Sequence, residues 1–185
     1  MGFHTFDAEQ ASQLERPSRY RWVSAEELIG PLVEVGAAVV ADLGSGTGFY
    51  TDAVAEHAET VYGVDVQSEM HEYYRDKGLP ENVDLVASDV SDLPLADGEL
   101  DGACSTMTYH EFASPDAIGE LARVLRSDGR LVVFDWSADG DGDHGPPVDE
   151  RFAARDARET LVDAGFEIER AETRTETFGV VARAP

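Results

Sequence analysis

Residues 37–58 read AAVVADLGSGTGFYTDAVAEHA, and this stretch constrains the fold more than any other. An apolar run ends at Leu43, glycines follow at 44, 46 and 48, and a helical pattern begins. A continuous apolar run of that length suits a strand buried on both faces, as in a parallel sheet. Glycine adopts backbone angles closed to other residues and lets the main chain approach a ligand closely. A strand, a glycine loop and a helix in that order predict a ligand site beyond the carboxyl end of the first strand of an open α/β sheet. The helix is expected over 48–58, with free N–H groups at its start facing an anionic ligand group.

The rest of the chain continues the alternation. Strands are expected at 60–66, 82–88, 100–107 and 130–136, with helices over 68–77 and 149–163 between or after them. A further helix opens with Ser114 as N-cap and Pro115 at its first position, and its apolar face carries Ile118, Leu121, Ala122 and Leu125. Two closing strands, 166–173 and 176–183, are joined too tightly for a crossover and pair antiparallel. The fold class is α/β: a Rossmann-like, seven-stranded mixed sheet with helices on both faces. Residues 7–34 read as helical with a break near Pro17, and Ser24 with Glu27 forms a capping box.

Three successive strands end at acids in register: Asp42, Asp65 and Asp89. Asp65 stands about 20 residues beyond the loop, where a carboxylate binds ribose hydroxyls. Asp89 and the Val90 backbone suit the amino group and ring edge of adenine. Two ligands fit such a site. A dinucleotide wants G-x-G-x-x-G, whereas Gly44-Ser45-Gly46-Thr47-Gly48 is G-x-G-x-G. S-adenosylmethionine carries an ammonium and a sulfonium, which an acid at Asp42 favours and a pyrophosphate would not tolerate. The expected cofactor-binding set is therefore Asp42, Gly44, Ser45, Gly46, Gly48, Asp65, Val66, Asp89, Val90, Thr106 and Met107.

The fourth strand runs out into STMTYHEF. Tyr109, His110 and Glu111 are the candidates for contact with a substrate. His110 reads as a general base or as a structural hydrogen-bonding group at a helix start. Tyr20, Arg21 and Trp22 close over the pocket or pack against the sheet. The loop 137–147, containing DGDGDH, reads as a lid or as a solvated connection. It lacks the ligand spacing of a calcium loop, so no metal site is expected. Cys104 reads as buried packing.

Charge excludes one partner class. With 38 acidic against 14 basic residues the net charge is −24, which repels phosphate backbones and disfavours nucleic acid. The acids are spread along the chain, the pattern expected of a halophilic surface kept hydrated in high salt. No apolar run reaches the roughly 20 residues of a membrane span, the first ten residues lack a signal-peptide pattern, and a single cysteine forms no internal disulfide. A cytoplasmic protein with no membrane partner is expected.

DLGSGTG, the second-strand Asp65, SDVSDLP and ELARVLRSDGRLVVFDW together resemble the motifs of class I S-adenosylmethionine-dependent methyltransferases. The resemblance covers the chain from about residue 37 onward. It implies the sheet order 3-2-1-4-5-7-6, a methyltransferase domain over 37–185, and residues 1–36 as a helical cap over the substrate side. YHEF and GPPVDER are similar to a small-molecule branch related to the ubiquinone/menaquinone C-methyltransferases. The implied activity is in-line methyl transfer to a small molecule. An NAD-dependent oxidoreductase and a non-catalytic cofactor-binding module stand as alternatives.

Overall fold

The computed structural model describes residues 6–185. The first five positions of the expected cap lie outside the described residues. Seven strands form one sheet: β1 (Val39–Leu43), β2 (Thr60–Asp65), β3 (Val83–Ala87), β4 (Leu100–Thr106), β5 (Leu125–Trp136), β6 (Glu167–Thr173) and β7 (Thr177–Arg183). Their order is β3-β2-β1-β4-β5-β7-β6, as the resemblance implied. The first five pair in parallel, and β7 runs antiparallel to β5 and to β6.

Alternation along the strands divides the interior in two. Val40, Cys104, Val132 and Val181 point to one face. There they meet Leu28, Ile29 and Leu32 of α1 (Ala25–Glu34), Val54 of α2 (Thr51–Ala55) and Tyr74 of α3 (Ser68–Gly78). Ala41, Ala103, Val133 and Val180 point to the other. They meet Tyr109 and Phe112 of α4 (Tyr109–Phe112), Ile118 and Leu121 of α5 (Pro115–Val124), and Leu161 of α6 (Ala154–Asp163). Small residues in β4 suit its place, since it is hydrogen-bonded on both sides and covered on both faces. Ser24 and Ser114 cap their helices as expected, the first in a full capping box.

Three expectations are corrected. Residues 8–15 and 17–21 form two 3-10 stretches rather than α-helix, with the expected break at Arg16 and Pro17 starting the second. The helix after the glycine loop begins at Thr51, not at 48, because Gly44, Gly46 and Gly48 all hold positive φ. At five residues it presents no extended helix start to a ligand. The helix expected from 149 begins at Ala154. Residues before it are drawn into a bridge between Phe152 and Ser137, and Asp156 caps the Ala153 N–H. Among the described residues no helix is long and apolar enough to cross a membrane.

Candidate active site

A cavity of about 760 Å³ opens beyond the carboxyl ends of β1, β2, β3 and β4, where sheet order reverses. One end is made by the glycine loop. Gly44 and Ser45 donate their N–H groups to the Val64 carbonyl at 2.8 and 2.9 Å, which ties the loop to the end of β2. The Gly46 N–H is 2.8 Å from Asp65 Oδ2, and the Gln67 N–H is 2.9 Å from Asp65 Oδ1. Two main-chain donors thus aim the Asp65 carboxylate into the cavity. Asp89 is held by the N–H and hydroxyl of Ser91, and these bonds keep its carboxyl below the usual carboxylate range.

Most of the expected cofactor set lines this cavity: Gly44, Ser45, Gly46, Asp65, Val66, Asp89, Val90, Thr106 and Met107. Met107 takes a left-handed backbone (φ 59°), a conformation uncommon outside glycine and frequent at functional sites. Two members stand elsewhere. Gly48 packs into the core, where a Cβ would lie 2.1 Å from the Tyr74 ring. Asp42 is buried beneath the loop, accepting from the Thr51 hydroxyl at 2.6 Å and facing Cys104 Sγ at 3.8 Å. Burial pushes its carboxyl up to about 6. Asp42 is therefore not part of the cavity lining.

The other end is made by β4, β5 and the segments that follow them. Asp135, fully buried, accepts the His110 N–H at 2.6 Å and faces His110 Nδ1 at 2.9 Å. It also accepts the Trp136 N–H. Glu111 lies 3.9 Å from His110 Nε2. Burial works against the imidazolium, but the bond and charge of Asp135 outweigh it and raise the His110 pKa. Burial pushes the Glu111 carboxyl up to about 7. His110 and Glu111 line the cavity. Tyr109 does not: its ring is in the core, edge-on to Phe112, Phe152 and Phe178. Adjacent helical residues point about 100° apart, and here His110 and Glu111 turn to the cavity while Tyr109 turns to the core.

The N-terminal segment covers the cavity through Gln13, Leu14, Arg19 and Trp22. Tyr20 instead stacks on Phe49, and Arg21 lies over the Trp22 ring 4.1 Å away. Arg19 was not anticipated. It stands three residues before Trp22, on the same helical face, and that spacing was the available signal. Its guanidinium lies over Phe49 and Tyr50, and burial lowers its pKa. Glu15 fastens this segment to the glycine loop, accepting from the Thr47 hydroxyl at 2.5 Å and pairing with Lys77 at 3.3 Å.

Most residues of the 137–147 loop are exposed, yet the loop is held from within by two buried side chains. Buried Arg151 donates to the carbonyls of Ser137, His144 and Pro146. Buried Glu176 accepts the N–H groups of Gly142 and Asp143. The two are 3.8 Å apart and staple the loop from within. The staple sets Pro146 and Pro147 on the cavity wall and His144 against Trp22, at 4.9 Å. Neither Arg151 nor Glu176 was anticipated, because 25 residues of sequence separate them.

Residues 41–133 match the family model described as a methyltransferase domain. An uncharacterized methyltransferase-like protein of Schizosaccharomyces pombe is 34% identical over 121 residues, covering 65% of this chain and 44% of that protein. An uncharacterized methyltransferase of Mycobacterium tuberculosis is 37% identical over 111 residues, covering 60% and 44%. The chain thus spans less than half the length of these curated relatives. The crystal structure of a SAM-dependent methyltransferase from Aquifex aeolicus superimposes with a TM-score of 0.85 at 30% identity, covering 98% of this chain and all of that one.

Proposed function

From the premise that this chain belongs to the S-adenosylmethionine-dependent methyltransferase family, we propose that it methylates a small molecule and that His110 takes up the acceptor's proton. The observation that carries the reading is the Asp135–His110 pair opening onto the same cavity as the glycine loop. The cofactor supplies a methyl group on a sulfonium: an acceptor lone pair bonds to the methyl carbon, the carbon–sulfur bond breaks with its electrons passing to sulfur, and the acceptor's proton leaves.

The chain's own residues fit that cofactor. Arg19 and the bare main chain at Gly44–Gly46 suit an amino-acid carboxylate. Asp65 suits vicinal hydroxyls, and Asp89 with Val90 suits a purine edge. Asp135 fixes the ring of His110 so that Nε2 remains to accept a proton, and it stabilises the imidazolium that results. Support for an acceptor, as against a module that only holds cofactor, comes from the cavity: it extends past His110 to Trp22 and Trp136. The acids dispersed over the whole chain support a surface adapted to high salt.

Calorimetric titration in molar KCl tests the cofactor. S-adenosylmethionine and S-adenosylhomocysteine are expected to bind and NAD is not. Binding of NAD alone would overturn the reading and restore the oxidoreductase alternative.

A further inference from the structure

A sulfonium is a permanent cation, and shutting one away from water is costly unless an opposite charge faces it. The expected counter-charge, Asp42, lies off the cavity lining, bonded to Thr51 and beside Cys104. Among the described residues four other acids line the cavity: Asp65, Asp89, Glu111 and Glu150. Asp65 accepts two main-chain N–H groups, and Asp89 accepts the N–H and hydroxyl of Ser91. Glu150 acts on His110. Glu111 differs from Asp65 and Asp89. Among the described residues its carboxyl accepts no hydrogen bond, and its ion-pair partner, His110 Nε2, stands 3.9 Å off, beyond hydrogen-bond reach.

Glu111 also stands where the two ends of the cavity meet. Its carboxyl feels Asp65 from the glycine-loop end and Asp135 from behind His110. With burial these push it up, while His110 pulls it back. Its side chain is only 19% exposed, so water screens it poorly. The neighbouring cations have partners of their own. His110 is bonded to Asp135 through Nδ1. Arg19 lies over Phe49 and Tyr50 and donates to the Leu14 carbonyl, and Arg21 lies over the Trp22 ring. Arg151 turns its N–H groups to the carbonyls of Ser137, His144 and Pro146. A cation entering between Asp65 and His110 therefore gains Glu111 as a partner and draws that carboxyl toward its ionised form.

Resting on the methyltransferase reading, we propose that Glu111 is the counter-charge for the sulfonium of the methyl donor, and that it lets the chain tell the cationic donor from a product uncharged at sulfur. Arg19, Gly44–Gly46 and Asp65 face parts that donor and product share, so they do not discriminate between them. When the acceptor's lone pair bonds to the methyl carbon, the carbon–sulfur electrons stay on sulfur and its charge is gone. The attraction of Glu111 for that centre goes with it, and fresh donor displaces the product. The gain is in binding and exchange, since an anion beside the sulfonium steadies the donor more than the transition state.

The test is calorimetric titration of the full chain in molar KCl with S-adenosylmethionine, sinefungin and S-adenosylhomocysteine. Sinefungin carries an ammonium where the donor has its sulfonium, and S-adenosylhomocysteine has a neutral sulfide there. At that salt the screening length is roughly 3 Å, so the overall charge of the protein contributes little. In Glu111→Gln the Kd of both cationic ligands is expected to rise about tenfold, while that of S-adenosylhomocysteine changes less than about twofold. A second measurement needs no variant. At pH 7, in buffers of different ionisation enthalpy, S-adenosylmethionine is expected to release more protons on binding the wild type than S-adenosylhomocysteine does, because a carboxyl titrating at about 7 ionises on meeting a cation. Equal proton release by the two ligands overturns the proposal. So does an equal change of all three affinities in Glu111→Gln, which would make Glu111 structural, or no change in any; both leave the methyltransferase reading standing. Failure of S-adenosylmethionine and S-adenosylhomocysteine alike to bind the wild type removes that reading and this inference with it.

Discussion

The two ends of the cavity are built by different means. At the glycine loop the architecture is local, with loop amides on the Val64 carbonyl and on the Asp65 carboxylate, all within 25 residues of sequence. At the acceptor end side chains hold distant backbone in place. Asp135 holds His110 across 25 residues, and Glu176 holds Gly142 across 34. The first end depends on backbone angles that a single Cβ would disturb. The second depends on charged groups whose loss alters position and protonation and leaves the sheet alone.

The comparison breaks most sharply at the Asp135–His110 pair. His110→Ala is expected to lower kcat by about a thousandfold, and Asp135→Asn by about a hundredfold, with unchanged affinity for S-adenosylhomocysteine. Neutral imidazole is the accepting form and its pKa is raised, so kcat should fall as pH drops through a value above 6.5. Asp135→Asn should move that limb to lower pH, because the raising charge is gone. A pH profile unmoved by Asp135→Asn would make the pair structural. For stability the sign is opposite: a raised histidine pKa stabilises the fold below pH 6.5, and the gain fades as pH climbs through the raised value.

At the other end, Gly46→Val is expected to weaken S-adenosylmethionine binding by at least about a hundredfold, or about 2.7 kcal/mol. Its φ of 53° is strained for a branched residue, and the added Cβ would already stand 3.5 Å from Leu14 Cδ1 on the cavity lining. Titration of the variant checks this, and undiminished affinity would remove the loop from the cofactor site.

The smallest effect sharpens the division. Glu176→Gln keeps an acceptor for Gly142 and Asp143 but removes the charge beside Arg151. The KM for the acceptor should rise by roughly three- to tenfold, on the order of 1 kcal/mol, with cofactor affinity unmoved. Equal losses at both sites would show that the loop supports the whole cavity.

How far the sequence could be read follows this same division. The strand order, the glycine loop and the acids at 65 and 89 were legible because each belongs to a short contiguous pattern. Gly48 and Asp42 belonged to that pattern too, yet pattern does not tell which side of a loop faces inward, and both turned to the core. His110 was visible as a candidate, but its partner Asp135 was read only as the end of a strand. Tyr109 looked equivalent to His110 until α4 turned one to the core and the other to the cavity. Arg19, Glu150, Arg151 and Glu176 were hidden because a charged residue in so acidic a chain reads as surface until its neighbours in space are known.

The clasp of Glu15 with Thr47 and Lys77 has a consequence for traffic through the cavity. It ties the covering segment to the loop that it covers. Part of that latch is an ion pair, and dissolved ions compete for it. Release of S-adenosylhomocysteine, followed by stopped-flow fluorescence, is therefore expected to quicken as KCl screens the Lys77–Glu15 pair.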